Sequence, residues 1–120
     1  MVNHAAIESA ARSRDFQVVY PEALSFADDQ VALVRGARYV VGPEGSAFTL
    51  TYFSRPSSKV CVLCHPMIEA AACMTDVIDG VDITVLIGPV VRNGPGFRHR
   101  ADYEIDPARF SEFLDRWLEA

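Results

Sequence analysis

Val60-Cys61-Val62-Leu63-Cys64 is a near-continuous apolar run, with no polar position to face water. Uninterrupted runs of this length mark a strand covered on both faces, the usual state of a strand inside a parallel sheet. Two neighbours in sequence suit the same sheet. Upstream, Arg38 to Val41 reads as a short apolar strand ending at Gly42-Pro43. Downstream, Ile83, Val85 and Ile87 alternate with Thr84 and Leu86, the period of a strand. Between them, Pro66 can open a helix with Met67, Ala71, Met74 and Ile78 on its apolar side, closing at Gly80. Strands separated by helical segments imply an α/β layer structure with a mostly parallel sheet.

The flanks fit that architecture. Asn3 is an N-cap candidate for a helix from His4 to about Arg14, with Ile7, Ala10 and Ala11 on one side. Phe16 to Tyr20 is rich in β-formers and stops at Pro21. Ser25-Phe26-Ala27-Asp28 has the capping-box pattern; behind it Ala27, Val31 and Val34 keep helical spacing, and Gly36 suits a C-cap. Near the end, Asp106 caps a helix with Pro107 at its first position. Phe110, Phe113, Leu114, Trp117 and Leu118 form its apolar face. Phe48 to Phe53 reads both ways: its alternation favours a strand, while the preceding Gly45-Ser46 can start a helix with Ser46 as N-cap.

Composition narrows the function classes. The 120 residues suit one domain, and 50 % hydrophobic content excludes a disordered chain. A net charge of −5 argues against nucleic acid as a partner. No basic patch followed by an apolar segment marks the N-terminus as a signal peptide, and no stretch approaches the ~20 apolar residues of a membrane span. A cytoplasmic location with reduced thiols is expected for the three cysteines.

Two motifs invite chemistry. Cys61-Val62-Leu63-Cys64-His65 matches the CxxCH of covalent haem attachment. On a strand, however, residues three apart point to opposite faces, so the two sulfurs would not meet one porphyrin. A zinc site from Cys61, Cys64, His65 and Cys73 meets the same objection, leaving small core hydrophobes as the favoured reading and no metal or cofactor expected. The second motif is Gly42-Pro43-Glu44-Gly45-Ser46-Ala47, which leads from a strand into a helix start. Free N–H groups there suit a phosphate, and small residues let it approach. Gly45 and Ser46 supply that closeness, and Glu44 can accept from a sugar hydroxyl; the alternative is a tight turn that needs glycine. The stretch is neither a P-loop nor GxGxxG. Arg98 and Arg100, after the loop Asn93 to Gly96, are candidate anion contacts, against a solvated loop as default. Asp28-Asp29 favours the positive end of a helix rather than a metal, and His4 is expected to be exposed.

Tyr20 to Val62 resembles the C-terminal part of glycosyltransferase family 61, the group often labelled capsular polysaccharide biosynthesis proteins. The residues that carry the resemblance are Pro21 to Phe26, Gln30 to Leu33, Gly36 to Arg38, Val40 to Ala47, Phe53 and Lys59-Val60. Asn3 with Ile7, Phe16 and Val18, and the tail Asp102 to Asp106 with the last helix, extend it over most of the chain. The resemblance implies the C-terminal, Rossmann-like half of a GT-B enzyme, with residues 1–120 lacking the N-terminal acceptor domain. It also implies a nucleotide-sugar donor, inverting metal-independent transfer to a glycan, and a helix from Ala47 to Phe53. By position, Gly42, Glu44, Gly45 and Ser46 would bind the donor, Gly45 and Ser46 facing its diphosphate. Leu50 stands where many relatives have Asn, and Arg55 to Ser58 replaces a Pro-Gly turn. The catalytic base is not identified among these residues. A non-catalytic module that docks onto a separate partner, or onto a second copy as a homo-oligomer, is the competing expectation.

Overall fold

The computed structural model describes residues 1–43, 51–66, 80–92 and 102–119. Its centre is the apolar run: β2, Lys59–Cys64, lies between β1, Tyr39–Pro43, and β3, Asp82–Ile87. All pairings are parallel, with Val41 opposite Cys61 and Cys61 opposite Thr84. Val60 to Cys64 are at most 2 % exposed, as expected of a strand covered on both faces. The expected α/β character with a parallel sheet is present. A separate antiparallel ribbon pairs β4, Val90–Arg92, with β5, Asp102–Tyr103, and Arg92 reaches Asp102 at 2.7 Å.

Helix α1, His4–Arg12, and helix α3, Pro107–Glu119, share one cluster with the sheet. Ile7 and Ala11 of α1 meet Phe110, Leu114 and Trp117 of α3 over Cys61 and Leu63. Burying side chains such as Phe110 and Leu114 stabilises the fold by roughly 1.5–3 kcal/mol each. Trp117 stacks on Phe113 at 5.3 Å and meets the Tyr39 edge at 5.1 Å. Val60, Val62 and Cys64 form the cluster on the opposite face, with Val40, Val81, Ile83 and Val85. α3 follows its sequence: Asp106 Oδ1 accepts the Ala108 N–H at 2.9 Å, and the helix starts at Pro107. Leu118 departs from the expected face and is exposed, because the buried stripe runs through Phe110, Leu114 and Trp117.

Several expectations are corrected. α1 runs to Arg12, within two residues of the expected end near Arg14. The Asp15 N–H donates to Arg12 O and the Phe16 N–H to Ala11 O, with Asp15 at φ 64°, a Schellman ending. Asn3 does not cap α1 with its side chain. Its amide pairs with Ile105 instead, donating to Ile105 O at 2.6 Å and accepting the Ile105 N–H at 3.2 Å. Residues 16–20 belong to no strand. Ser25 makes no capping box: its hydroxyl donates to Asp29 Oδ2 at 3.0 Å. A π-helical turn, Phe26–Gln30, leads into α2, Val31–Gly36. Gly36 is the last helical residue rather than a left-handed cap, and Ala37 closes the turn in extended conformation. β1 runs on through Gly42 and Pro43, since both pair with β2; Pro43 is tolerated on an edge strand, where its missing N–H breaks no inner ladder. Residues 51–53 form a 3₁₀ turn, so the strand reading fails at that end, and the rest of the Phe48 to Phe53 segment lies outside the described residues. The helix expected after Pro66 also lies outside them, although Gly80 at its expected close has φ 77°.

Candidate functional site

Parallel α/β sheets bind ligands at the carboxyl ends of their strands. Here that edge is built by Gly42-Pro43 at the end of β1, His65 after β2 and Gly88 after β3. Gly42 is half-buried and pairs with Val62 of the central strand, so it stands at the edge where the sequence placed a ligand turn. Glu44, Gly45 and Ser46 continue from it and lie outside the described residues, as do Arg98 and Arg100.

Three polar side chains at this edge were not singled out for a donor role from sequence. Thr51 is 1 % exposed and lines a groove with Gly42, Pro43 and Leu63. His65 is equally buried, its ring 5.5 Å from that of Tyr103. The Tyr103 hydroxyl donates to Leu63 O at 3.1 Å, which fixes β5 against the end of β2. Sequence spacing could not show this, because Tyr103 and Leu63 meet only through the fold.

The CxxCH motif is structural. Cys61 belongs to the cluster under α1 and α3, while Cys64 belongs to the opposite cluster. One haem or one metal ion cannot draw on sulfurs that face opposite sides of a sheet. Burial first, and the neighbouring Cys64 second, push the Cys61 thiol up to about 12, far from the thiolate that nucleophilic or metal chemistry needs. Asp28 and Asp29 are exposed in the π-helical turn, and His4 is exposed at the start of α1.

A groove of about 550 Å³ opens beside β1. Phe16 to Pro21 line one side, Tyr39 to Pro43 the other, and Ile7, Leu63 and Phe110 contribute to its wall. Its end at Gly42-Pro43 puts it next to the carboxyl edge of the sheet.

The first half of the chain, which carries α1, α2 and β1, matches the sequence profile described as Glycosyltransferase 61 over residues 1–61. The chain belongs to glycosyltransferase family 61. The matched span includes Gly42, Glu44, Gly45 and Ser46, and stops before the tail at Asp102 to Asp106. No curated protein and no solved structure matches the chain. Among the described residues of this family 61 chain, no helix is long and apolar enough to cross a membrane.

Proposed function

We propose that residues 1–120 form the donor-binding unit of a family 61 glycosyltransferase, equivalent to the Rossmann-like C-terminal half of a GT-B enzyme. The unit holds a nucleotide-sugar donor whose sugar is transferred, with inversion and without a metal ion, to a glycan acceptor. The family match over residues 1–61 carries this reading, because it spans the stretch that follows β1 from Gly42-Pro43 into Glu44, Gly45 and Ser46. Gly45 and Ser46 are small enough to let a diphosphate approach backbone N–H groups, and the Ser46 hydroxyl adds a donor. Glu44 accepts from a sugar or ribose hydroxyl. Arg98 and Arg100 offset the phosphate charge. The acceptor and the catalytic base belong to a facing unit, since one side of a cleft neither orients two substrates nor excludes water. A split-enzyme subunit or a docking module is the reading that remains if no donor binds.

Ligand-detected NMR with UDP, GDP and their sugars tests the proposal. Saturable binding that weakens on Gly45→Val and Ser46→Ala is expected, the former because its side chain blocks close approach. A folded protein that binds none of these nucleotides at millimolar concentration would overturn it.

A further inference from the structure

β3 bounds the described sheet on the side away from β1. The Asp82 N–H donates to Ser58 O at 3.1 Å and the Gly88 N–H to Cys64 O at 2.9 Å. Backbone groups alternate sides along a strand, so the even-numbered residues serve β2. The N–H and C=O groups of Ile83, Val85 and Ile87 therefore point outward. Among the described residues none of these groups has a backbone partner. Unpaired edge groups of this kind are a template for another strand.

The opening lies along the edge and not on one face. Val60 to Cys64 of β2 are at most 2 % exposed, so both faces of the sheet are covered there. Ile83 and Val85 pack on one cluster and Leu86 on the opposite one, yet all three, with Thr84, are only half-buried. Ile87 is 51 % exposed. The usual guards of an edge are missing as well. Ile83 to Ile87 holds no charged residue and no proline, and its pairing with β2 runs without a bulge.

The free groups are self-complementary about Val85. With a second copy set antiparallel and Val85 opposite Val85, Ile83 falls opposite Ile87 and Thr84 opposite Leu86. Every outward N–H then meets an outward C=O. Opposed side chains share a face, so Ile83, Val85 and Ile87 of each copy extend the apolar row of the other. Asp82, the one charge in β3, falls opposite Gly88, and no like charges meet. Pairing stops there, because Pro89 has no N–H to donate.

We propose that β3 is a homodimer interface, at which two copies of this chain pair antiparallel about Val85 and form one continuous sheet. The carboxyl ends of the two β3 strands then lie at opposite ends of the contact, so neither copy covers the Gly42-Pro43 edge of the other. A single edge-to-edge contact is at the low end of specific interfaces, below about 1,200 Å². The dimer is therefore reversible and depends on concentration. Its pairing uses no residue of the donor site, so dimer formation and donor binding are independent observables.

Sedimentation velocity from about 10 μM to about 1 mM, with NMR on mixtures of differently labelled chains, tests it. A monomer–dimer equilibrium is expected. The mixtures should show an intermolecular Hα–Hα NOE between Thr84 and Leu86, the close non-hydrogen-bonded pair of this register. The Val85 amide should exchange about tenfold or more slower at the highest concentration than at the lowest, while the Thr84 and Leu86 amides, bonded to β2, stay constant. Ile87→Lys sets a guard at an exposed position and should weaken dimerisation about tenfold or more, with the melting temperature of the dilute protein unchanged. If that variant fails to fold, the mixed-label NOEs of the parent decide alone. A chain that stays monomeric over the whole range overturns the proposal. So does a dimer whose intermolecular NOEs lie elsewhere, or one that Ile87→Lys leaves as tight as the parent.

Discussion

Asn3→Ala tests how the two ends of the chain are joined. The Asn3 carboxamide makes two hydrogen bonds to Ile105, at 2.6 Å and 3.2 Å, and the Val2 N–H donates to Tyr103 O at 2.9 Å. Residues 2–3 therefore run along 103–105 as a short rung, with Ile105 2 % exposed. Alanine removes both side-chain bonds and strands the Ile105 N–H and C=O beside the core. A net loss of about 1 kcal/mol per bond, with a desolvation penalty for groups left unpaired, gives about 2–3 kcal/mol. With a urea slope typical of a small domain, the midpoint falls by about 1–2 M. Asn3→Asp sharpens the test. Its carboxylate still accepts the Ile105 N–H but sets a negative oxygen against Ile105 O, where only a donor fits. The protonated acid restores that donor, so the folded-state pKa of Asp at this position rises above the unfolded value of about 3.9. A raised pKa gives stability that is present below the unfolded value and lost as pH rises through the folded one. Asn3→Asp should thus be less stable than the parent at neutral pH and approach it in acid, followed by urea unfolding at several pH values. An Asn3→Ala protein within about 0.5 kcal/mol of the parent would refute the rung. An Asn3→Asp deficit that does not shrink in acid would refute the donor assignment.

Gly88→Ala should destabilise strongly, because a Cβ there runs into the backbone carbonyl of Glu104, which cannot swing away like a side chain; a loss above about 2 kcal/mol is expected in thermal or urea melts. Cys61 should resist thiol-reactive reagents in the folded protein and react once urea unfolds it, read by mass spectrometry of the labelled peptide. The same raised thiol pKa gives stability that is complete below the unfolded value of about 8.5 and lost as pH rises towards about 12. Urea midpoints should therefore fall above about pH 9, and less so in Cys61→Ala when each protein is compared with itself at pH 7. Asp106→Ala should cost about 1 kcal/mol by removing the cap on the Ala108 N–H, with α3 fraying at its first turn in amide exchange.

The candidate site was legible in part. The position of Gly42 at the carboxyl end of β1 was legible, because a short apolar strand leads into Gly-rich sequence there. Thr51 and Tyr103 were not, because nothing local marks them, and His65 was marked only through CxxCH; Tyr103 reaches the carboxyl edge because β2 and β5 meet across 40 residues of chain. CxxCH shows the reverse case. The motif is loud in sequence, but its chemistry is vetoed by the strand alternation that the same residues enforce.

The apolar run Val60 to Cys64 and the caps at Asp106 and Pro107 determined the buried strand and the last helix by themselves. Period and capping act within a few residues, so no distant partner is needed to read them. Tertiary structure alone decided the rest. Asn3 stands where a helix cap belongs, yet the two backbone groups of Ile105 take its amide because they lie beside the core and need partners more than the exposed first turn of α1 does. Phe16 to Tyr20 has the composition of a strand, but a strand exists only when another backbone lies within hydrogen-bonding reach, and here a groove of about 550 Å³ stands between it and β1.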